Sequence, residues 1–218
     1  MTTYDRAIEY VGAGDVDQLR TATRLHLQTL RTAGLQPSTA VLEIGAGTLH
    51  LGAKLVKALD PGCYTAIEPA HWLVAVGLDD ADLRRRKLFA DKRAVVLHRS
   101  DFDPSEALDA AGKPRTYGLV FAHSVLSHGA AADPARLLRA VKPHLQHGAV
   151  ILTSLRLGPK TTAGPEWTYP DAVEFSMPDI LRIAKEEGFT VKHRPEIRER
   201  CEAALSRMRH DWLAWKVA

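Results

Sequence analysis

The sequence predicts an α/β fold organised on a doubly wound, largely parallel sheet. Three observations carry that reading. Residues 41–59, VLEIGAGTLHLGAKLVKAL, read as a buried strand, a glycine turn and the start of a helix. Further short apolar runs at 63–68, 95–97, 117–122 and 149–155 alternate with helical or turn-rich sequence, which is the rhythm of β/α units. The length of 218 residues and the 45% hydrophobic content suffice for one large core. One domain over residues 1–218 is expected, with 1–34 as an N-terminal helical cover.

Composition excludes several classes. A net charge of +3 is too small to point to a nucleic-acid binder. Cys63 and Cys201 form no metal or redox motif, which suits a reducing cytosol. The first ten residues, MTTYDRAIEY, lack the apolar core of a signal peptide, and no run approaches the ~18 apolar residues of a membrane span. A cytoplasmic protein is therefore expected.

Residues 1–14 have no clear pattern, although Tyr4 and Tyr10 are candidates to line a pocket or simply to pack. A helix should run from Asp15 or Asp17 to about Ala33 and stop at Gly34, with Leu19, Leu27 and Leu30 toward the sheet. In the first strand Val41, Leu42 and Ile44 are apolar, and Glu43 stands two residues before Gly45. Gly45-Ala46-Gly47 can turn sharply and bare its backbone to a ligand. The helix that follows has Leu51, Leu55 and Leu59 four apart, and its N-terminus offers free N–H groups to a polar ligand. The dinucleotide fingerprint would want a third glycine where His50 stands.

The second strand, 63–68, ends at Glu68-Pro69. Glu68 lies 21 positions after Gly47, near the ~20 expected for a carboxylate that grips a ribose diol. A helix begins at His71, with Trp72 as a packing residue. The basic run Arg84, Arg85, Arg86 and Lys87 reads as a solvated helix face. After the third strand come Asp101 and Phe102. A carboxylate accepts from an exocyclic amine and a flat ring stacks on a flat ring, so the pair could receive a base; alternatively Asp101 caps the turn into Asp103-Pro104.

The fourth strand, YGLVFA, ends at His123-Ser124, and His128 follows. Ligands in doubly wound sheets sit outside the carboxyl ends of the strands, so both histidines face the expected site. Either could act as general base, or serve as a cap or packing residue; a zinc pair is disfavoured by the spacing. Asp133-Pro134 reads as N-cap and first turn of a helix with Leu137, Leu138, Val141 and Leu145 inward, closed by His144 and His147 near Gly148. Residues 156–169 read as a lid-like loop, with Trp167 and Tyr169 as substrate wall or packing. Ser176, Pro178 and Asp179 start a helix with Ile180, Leu181, Ile183 and Ala184 inward and Gly188 as its stop. Residues 189–193 and 211–217 alternate like strands, with a charged helix over 195–209 between them.

The E-x-G-x-G of Glu43, Gly45 and Gly47, with TAIEPAHWLVAVGL, SDFDPS, AHSVLSH and EWTYP, resembles the class I S-adenosylmethionine (SAM) methyltransferases, over about residues 40–195. Within that class the chain looks like bacterial methyltransferases of sugars and secondary metabolites. The resemblance implies a Rossmann-like seven-stranded sheet with an antiparallel last strand. It implies SAM as cofactor, with contacts at Glu43, Gly45, Gly47, Glu68, Asp101, Phe102 and His123. It implies a small-molecule acceptor and places His128 opposite the family's strand-4 histidine, with His123 as the alternative base where the family carries an amide residue. The 195–209 insert departs from the family's short connection.

The expected chemistry is attack by a hydroxyl, less readily an amine, on the sulfonium methyl, for which the protein aligns the partners and removes one proton. No metal is expected, since Asp101 and Asp103 lack acidic partners after the fourth and fifth strands. An NAD-dependent reductase is disfavoured by His50 and by the lack of a Tyr-x-x-x-Lys pair. RNA methylation through residues 84–87, Lys92, Arg93 and Arg99 is a weaker reading, without an appended RNA module. A catalytically silent nucleotide- or partner-binding domain remains open, as does a homodimer.

Overall fold

A computed structural model describes residues 2–12, 14–79, 83–205 and 210–218. The elements in chain order are α1 (Thr3–Tyr10), α2 (Val16–Thr32), β1 (Val41–Ile44), α3 (His50–Ala58), β2 (Tyr64–Ile67), α4 (His71–Asp79), α5 (Leu83–Asp91), β3 (Val95–Leu97) and β4 (Tyr117–Ala122). They continue with α6 (Asp133–Val141), β5 (Leu145–Leu155), β6 (Leu157–Gly158), β7 (Phe175–Ser176), α7 (Met177–Glu187), β8 (Phe189–His193), α8 (Pro195–Ala204) and β9 (Asp211–Val217). Seven strands form one sheet in the order β3-β2-β1-β4-β5-β9-β8. β1 to β5 pair in parallel, whereas β9 runs antiparallel to both β5 and β8. The predicted Rossmann-like seven-stranded sheet with its antiparallel last strand is thus present. β6 and β7 form a separate two-stranded ribbon.

Strand alternation divides the core into two layers. Leu42 and Ile44 of β1 pack with Val120, Ile151, Leu137 and Ile183 on one face. Val41 packs with Phe121, Leu152, Leu30 and Leu55 on the other. Both faces are covered, which is why the central strands read as continuous apolar runs. Each such side chain contributes about 1.5–3 kcal/mol by leaving water. The chain runs outward from β1 through β2 to β3, then crosses back to β4 beside β1. A crevice opens at that reversal, outside the strands' carboxyl ends.

Local signals set most boundaries. Asp15 caps α2, its carboxylate accepting from the Gln18 N–H at 2.8 Å. Ser176 caps α7, and Gly188 ends it at φ 74°. The patternless N-terminus forms α1, fixed by a capping box between Thr2 and Asp5. The basic run lies on α5, where Lys87 pairs with Asp91 at 3.0 Å and Arg86 with Asp79. Four expectations need correction. Ala132, not Asp133, is the N-cap of α6; Asp133 enters the first turn and its carboxylate accepts from the Ala130 N–H instead. That helix ends at Val141, so Leu145 and His147 belong to β5, which starts four residues earlier than the apolar run suggested. Leu181 is half exposed rather than inward. The predicted 195–209 helix ends at Ala204, and 206–209 lie outside the described residues.

Candidate active site

The site grows from the glycine turn after β1. Gly45 and Gly47 have φ of 74° and 52°, a conformation that side-chain-bearing residues adopt at a cost. A β-carbon on Gly45 would lie 2.4 Å from Val125 Cγ2, so the turn needs the missing side chain for space as well. The Gly47 N–H donates to Glu68 Oε2 at 2.8 Å, and the Ala70 N–H donates to Oε1 at 2.9 Å. Glu68 is thereby fixed at the end of β2, against the turn that the sequence placed it near.

Glu43 is buried and accepts a 2.5 Å hydrogen bond from the Tyr64 hydroxyl. Burial pushes its carboxyl up to about 8; the Tyr64 bond opposes this and the nearby Glu68 charge adds to it. These groups open onto a cavity of about 940 Å³ at the crevice between β1 and β4. Phe102, His123, His128, Trp167 and Tyr169 line the same cavity.

Asp101 is the exception. Arg99, two residues before it, donates to its carboxylate through Nε at 2.9 Å and a terminal nitrogen at 2.6 Å. That bond holds the Asp101 carboxyl down at about 2 and keeps it among exposed charges. Its neighbours Ser100 and Phe102 line the cavity, while the Asp101 carboxylate also accepts from the Asp103 N–H at 3.3 Å, as in the turn-capping alternative. Phe102 is buried at φ 64°, with the Arg136 guanidinium 5.7 Å from its ring centre.

The two candidate bases have different surroundings. His123 stacks on Trp212, with centroids 5.5 Å apart and planes at 21°, and meets His26 at 4.1 Å and His210 at 5.1 Å. Its Nε2 is buried and has no hydrogen-bond partner among the described residues. Burial, then the nearby His26 and His210, hold His123 well below the usual imidazole range. His26 falls to about 3, chiefly by burial, and His210 to about 4, by burial and then the Arg156 charge. All three rings are neutral at physiological pH. His128 closes a 3₁₀ turn, Leu126–His128, and pairs through Nδ1 with the Asp171 carbonyl at 2.9 Å. A carbonyl can only accept, so Nδ1 carries the proton and Nε2 of the neutral ring is left as a base.

The lid-like loop reaches across to the N-terminal helix. The Tyr169 hydroxyl donates to the Tyr10 carbonyl, and the Tyr169 ring lies 4.9 Å from His128. Tyr10 packs on Trp72 at 5.3 Å, and the Tyr4 hydroxyl meets His50 Nε2 at 3.0 Å. Trp167 stays about half exposed. Sequence reasoning missed four residues of this end of the cavity: His26, Ser124, Arg156 and His210. His210 carried a usable signal, because it immediately precedes an antiparallel strand whose start borders the parallel strands' carboxyl ends.

The arrangement fits a nucleoside ligand with a charged amino-acid tail. The cavity volume lies in the ~300–1,000 Å³ range of small-molecule sites, the turn exposes backbone, and a fixed carboxylate stands at the end of β2. Among the described residues no cluster could hold a metal ion, and no helix is long and apolar enough to cross a membrane. The fold is similar to that of a SAM-dependent methyltransferase from Leishmania major (16% identity, covering 98% of this chain and 83% of that one, TM-score 0.66). It is similar also to DhpI in complex with S-adenosylhomocysteine, SAH (15%, 99% and 93%, 0.61), and to the glycopeptide N-methyltransferase MtfA (16%, 90% and 90%, 0.60). No match is found among curated proteins. A methyltransferase-domain family model matches residues 42–151, half of the chain and the half that holds the glycine turn, Glu68 and both candidate bases, and with this match the chain belongs to the class I SAM-dependent methyltransferases.

Proposed function

We propose that the protein methylates a hydroxyl of a small acceptor such as a sugar or secondary metabolite, with His128 as the general base. The observation that carries this reading is the bond from His128 Nδ1 to the Asp171 carbonyl, which leaves Nε2 free to take a proton in the cavity. His123 is the weaker candidate, because a strongly depressed, packed imidazole is a poor base. Glu43, Gly45, Gly47, Glu68 and Phe102 would hold SAM, which supplies a methyl group already activated on a sulfonium. Trp167 and Tyr169 wall the acceptor side and exclude water, and the described part of residues 1–34 covers the cavity through Tyr10. Likeness to a glycopeptide N-methyltransferase supports an amine acceptor as the second reading.

The test is His128→Ala, compared with the parent protein in SAH calorimetry and in methyl transfer to a panel of hydroxylated acceptors. The expected result is unchanged SAH affinity with kcat reduced by about 10²–10⁴-fold. Retention of near-normal kcat and pH profile in the variant removes His128 from the role.

A further inference from the structure

Three arginines line the cavity: Arg99, Arg136 and Arg156. Two are neutralised. Arg99 pairs with Asp101 at 2.6 Å and Asp103 at 3.5 Å and also meets Glu106; Arg136 pairs with Asp133 at 2.7 Å. Arg156, the first residue after β5, has no carboxylate within ion-pair distance among the described residues. Asp211 would be the obvious partner, since it pairs with Leu155 in the β5–β9 ladder. Its carboxylate is already occupied by the Leu157 N–H at 3.0 Å, Arg198 at 3.0 Å and His193 at 3.2 Å. The cavity's own carboxylates are engaged as well: Glu68 on two backbone N–H groups, Asp133 on Arg136, and Glu43 on Tyr64. Glu9, an exposed lining residue on α1, makes no ion pair with Arg156.

Beside this uncompensated charge stands a polar cluster that is only partly satisfied. His210 feels the Arg156 charge; its Nε2 lies 3.3 Å from Ser124 Oγ, while its Nδ1 is buried without a partner among the described residues. Ser124 is held at φ 58°, its N–H donating to Ser154 Oγ at 2.8 Å. Strained non-glycine residues of this kind persist where the surroundings over-determine them, and they gather at binding and catalytic sites. A buried polar atom without a partner is costly until something supplies one.

We propose that Arg156 receives an oxyanion of the acceptor, a carboxylate or a phosphoryl group, beside the Ser124–His210 pair. The proposal rests on reading this end of the cavity as the acceptor chamber. A guanidinium matches both anions with two parallel N–H donors, so it fixes the orientation of the acceptor as well as its position. The acceptor class narrows accordingly to hydroxylated acids and phosphorylated hydroxy compounds, with the anion at Arg156 and the nucleophile toward His128.

The experiment titrates SAH-saturated protein with inorganic phosphate and, separately, acetate, at constant ionic strength balanced with chloride, following the His210 ring resonance by NMR. The expected result is saturable, roughly millimolar binding that moves that resonance; Arg156→Gln weakens it by about tenfold or more, and Arg156→Lys retains part. A preference for phosphate or acetate reports which anion the acceptor carries. Absence of saturable binding up to about 100 mM, or equal binding by Arg156→Gln, overturns the proposal. SAH calorimetry on the same samples separates the failures. Normal SAH affinity without anion binding defeats the oxyanion alone, whereas no SAH affinity in the parent protein defeats the reading of the cavity and the proposal with it.

Discussion

Replacing Glu43 with glutamine should change how stability depends on pH, and the sign follows from burial. The carboxyl rises from 4.5 to about 8 in the folded protein, mainly because it is buried, so between those values the folded chain keeps a proton that the unfolded chain has lost. The folded state then binds more protons than the unfolded state, and stability falls as pH rises. Glu43's contribution is fully present below about 4.5 and has been lost by about 8. The limiting slope is about 1.4 kcal/mol per pH unit, so on the order of 4 kcal/mol separates pH 5 from pH 8. Glu43→Gln keeps the shape and an acceptor oxygen for Tyr64 but cannot ionise. Urea unfolding of both proteins at pH 5, 6.5 and 8 isolates the residue, because every other titration is common to the two curves. Glu43→Gln should gain on the parent steadily with pH and be the more stable protein at pH 8. Parallel pH profiles would falsify the claim that Glu43 is buried without a compensating charge.

Gly45→Ala should cost about 2–4 kcal/mol in urea unfolding, from a left-handed backbone and a β-carbon 2.4 Å from Val125 Cγ2. The double variant Gly45→Ala/Val125→Ala should recover the overlap but not the backbone part; no recovery means the clash is not at Val125. His123→Phe should leave unfolding stability unchanged or slightly higher, since it removes a buried nitrogen without a partner and keeps the stack on Trp212. A loss above about 2 kcal/mol in its urea midpoint would mean that Nε2 makes a stabilising bond.

The glycine-turn end of the cavity was legible in the sequence because it is local. Glu43, Gly45 and Gly47 lie within one strand and turn, and Glu68 lies one β/α unit further on, so spacing alone brings them together. The pairing of Asp101 with Arg99, two residues before it, is a local feature that the spacing did not reveal. The other end of the cavity depends on long-range pairing. His26 comes from α2, His123 from the end of β4 and His210 from the approach to β9, and only the completed sheet stacks them. The same remoteness hid Arg156, which the proposal singles out for having no counter-charge among the described residues, a property of the whole cavity. Boundaries failed where apolar pattern and backbone diverge, as at the polar start of β5.

The reversed direction of β9 brings its first residues beside the end of β5, so the two ends of the cavity are built by strands on either side of β4. β1 and β2 lead to the glycine turn and Glu68, while β5 and β9 flank Arg156 and His210. On the proposed reading, substitutions at Arg156 or His210 would change which acceptor is taken while the glycine turn, on the far side of β4, is untouched. If that reading holds, the acceptor end is free to vary in small steps while the glycine turn is kept.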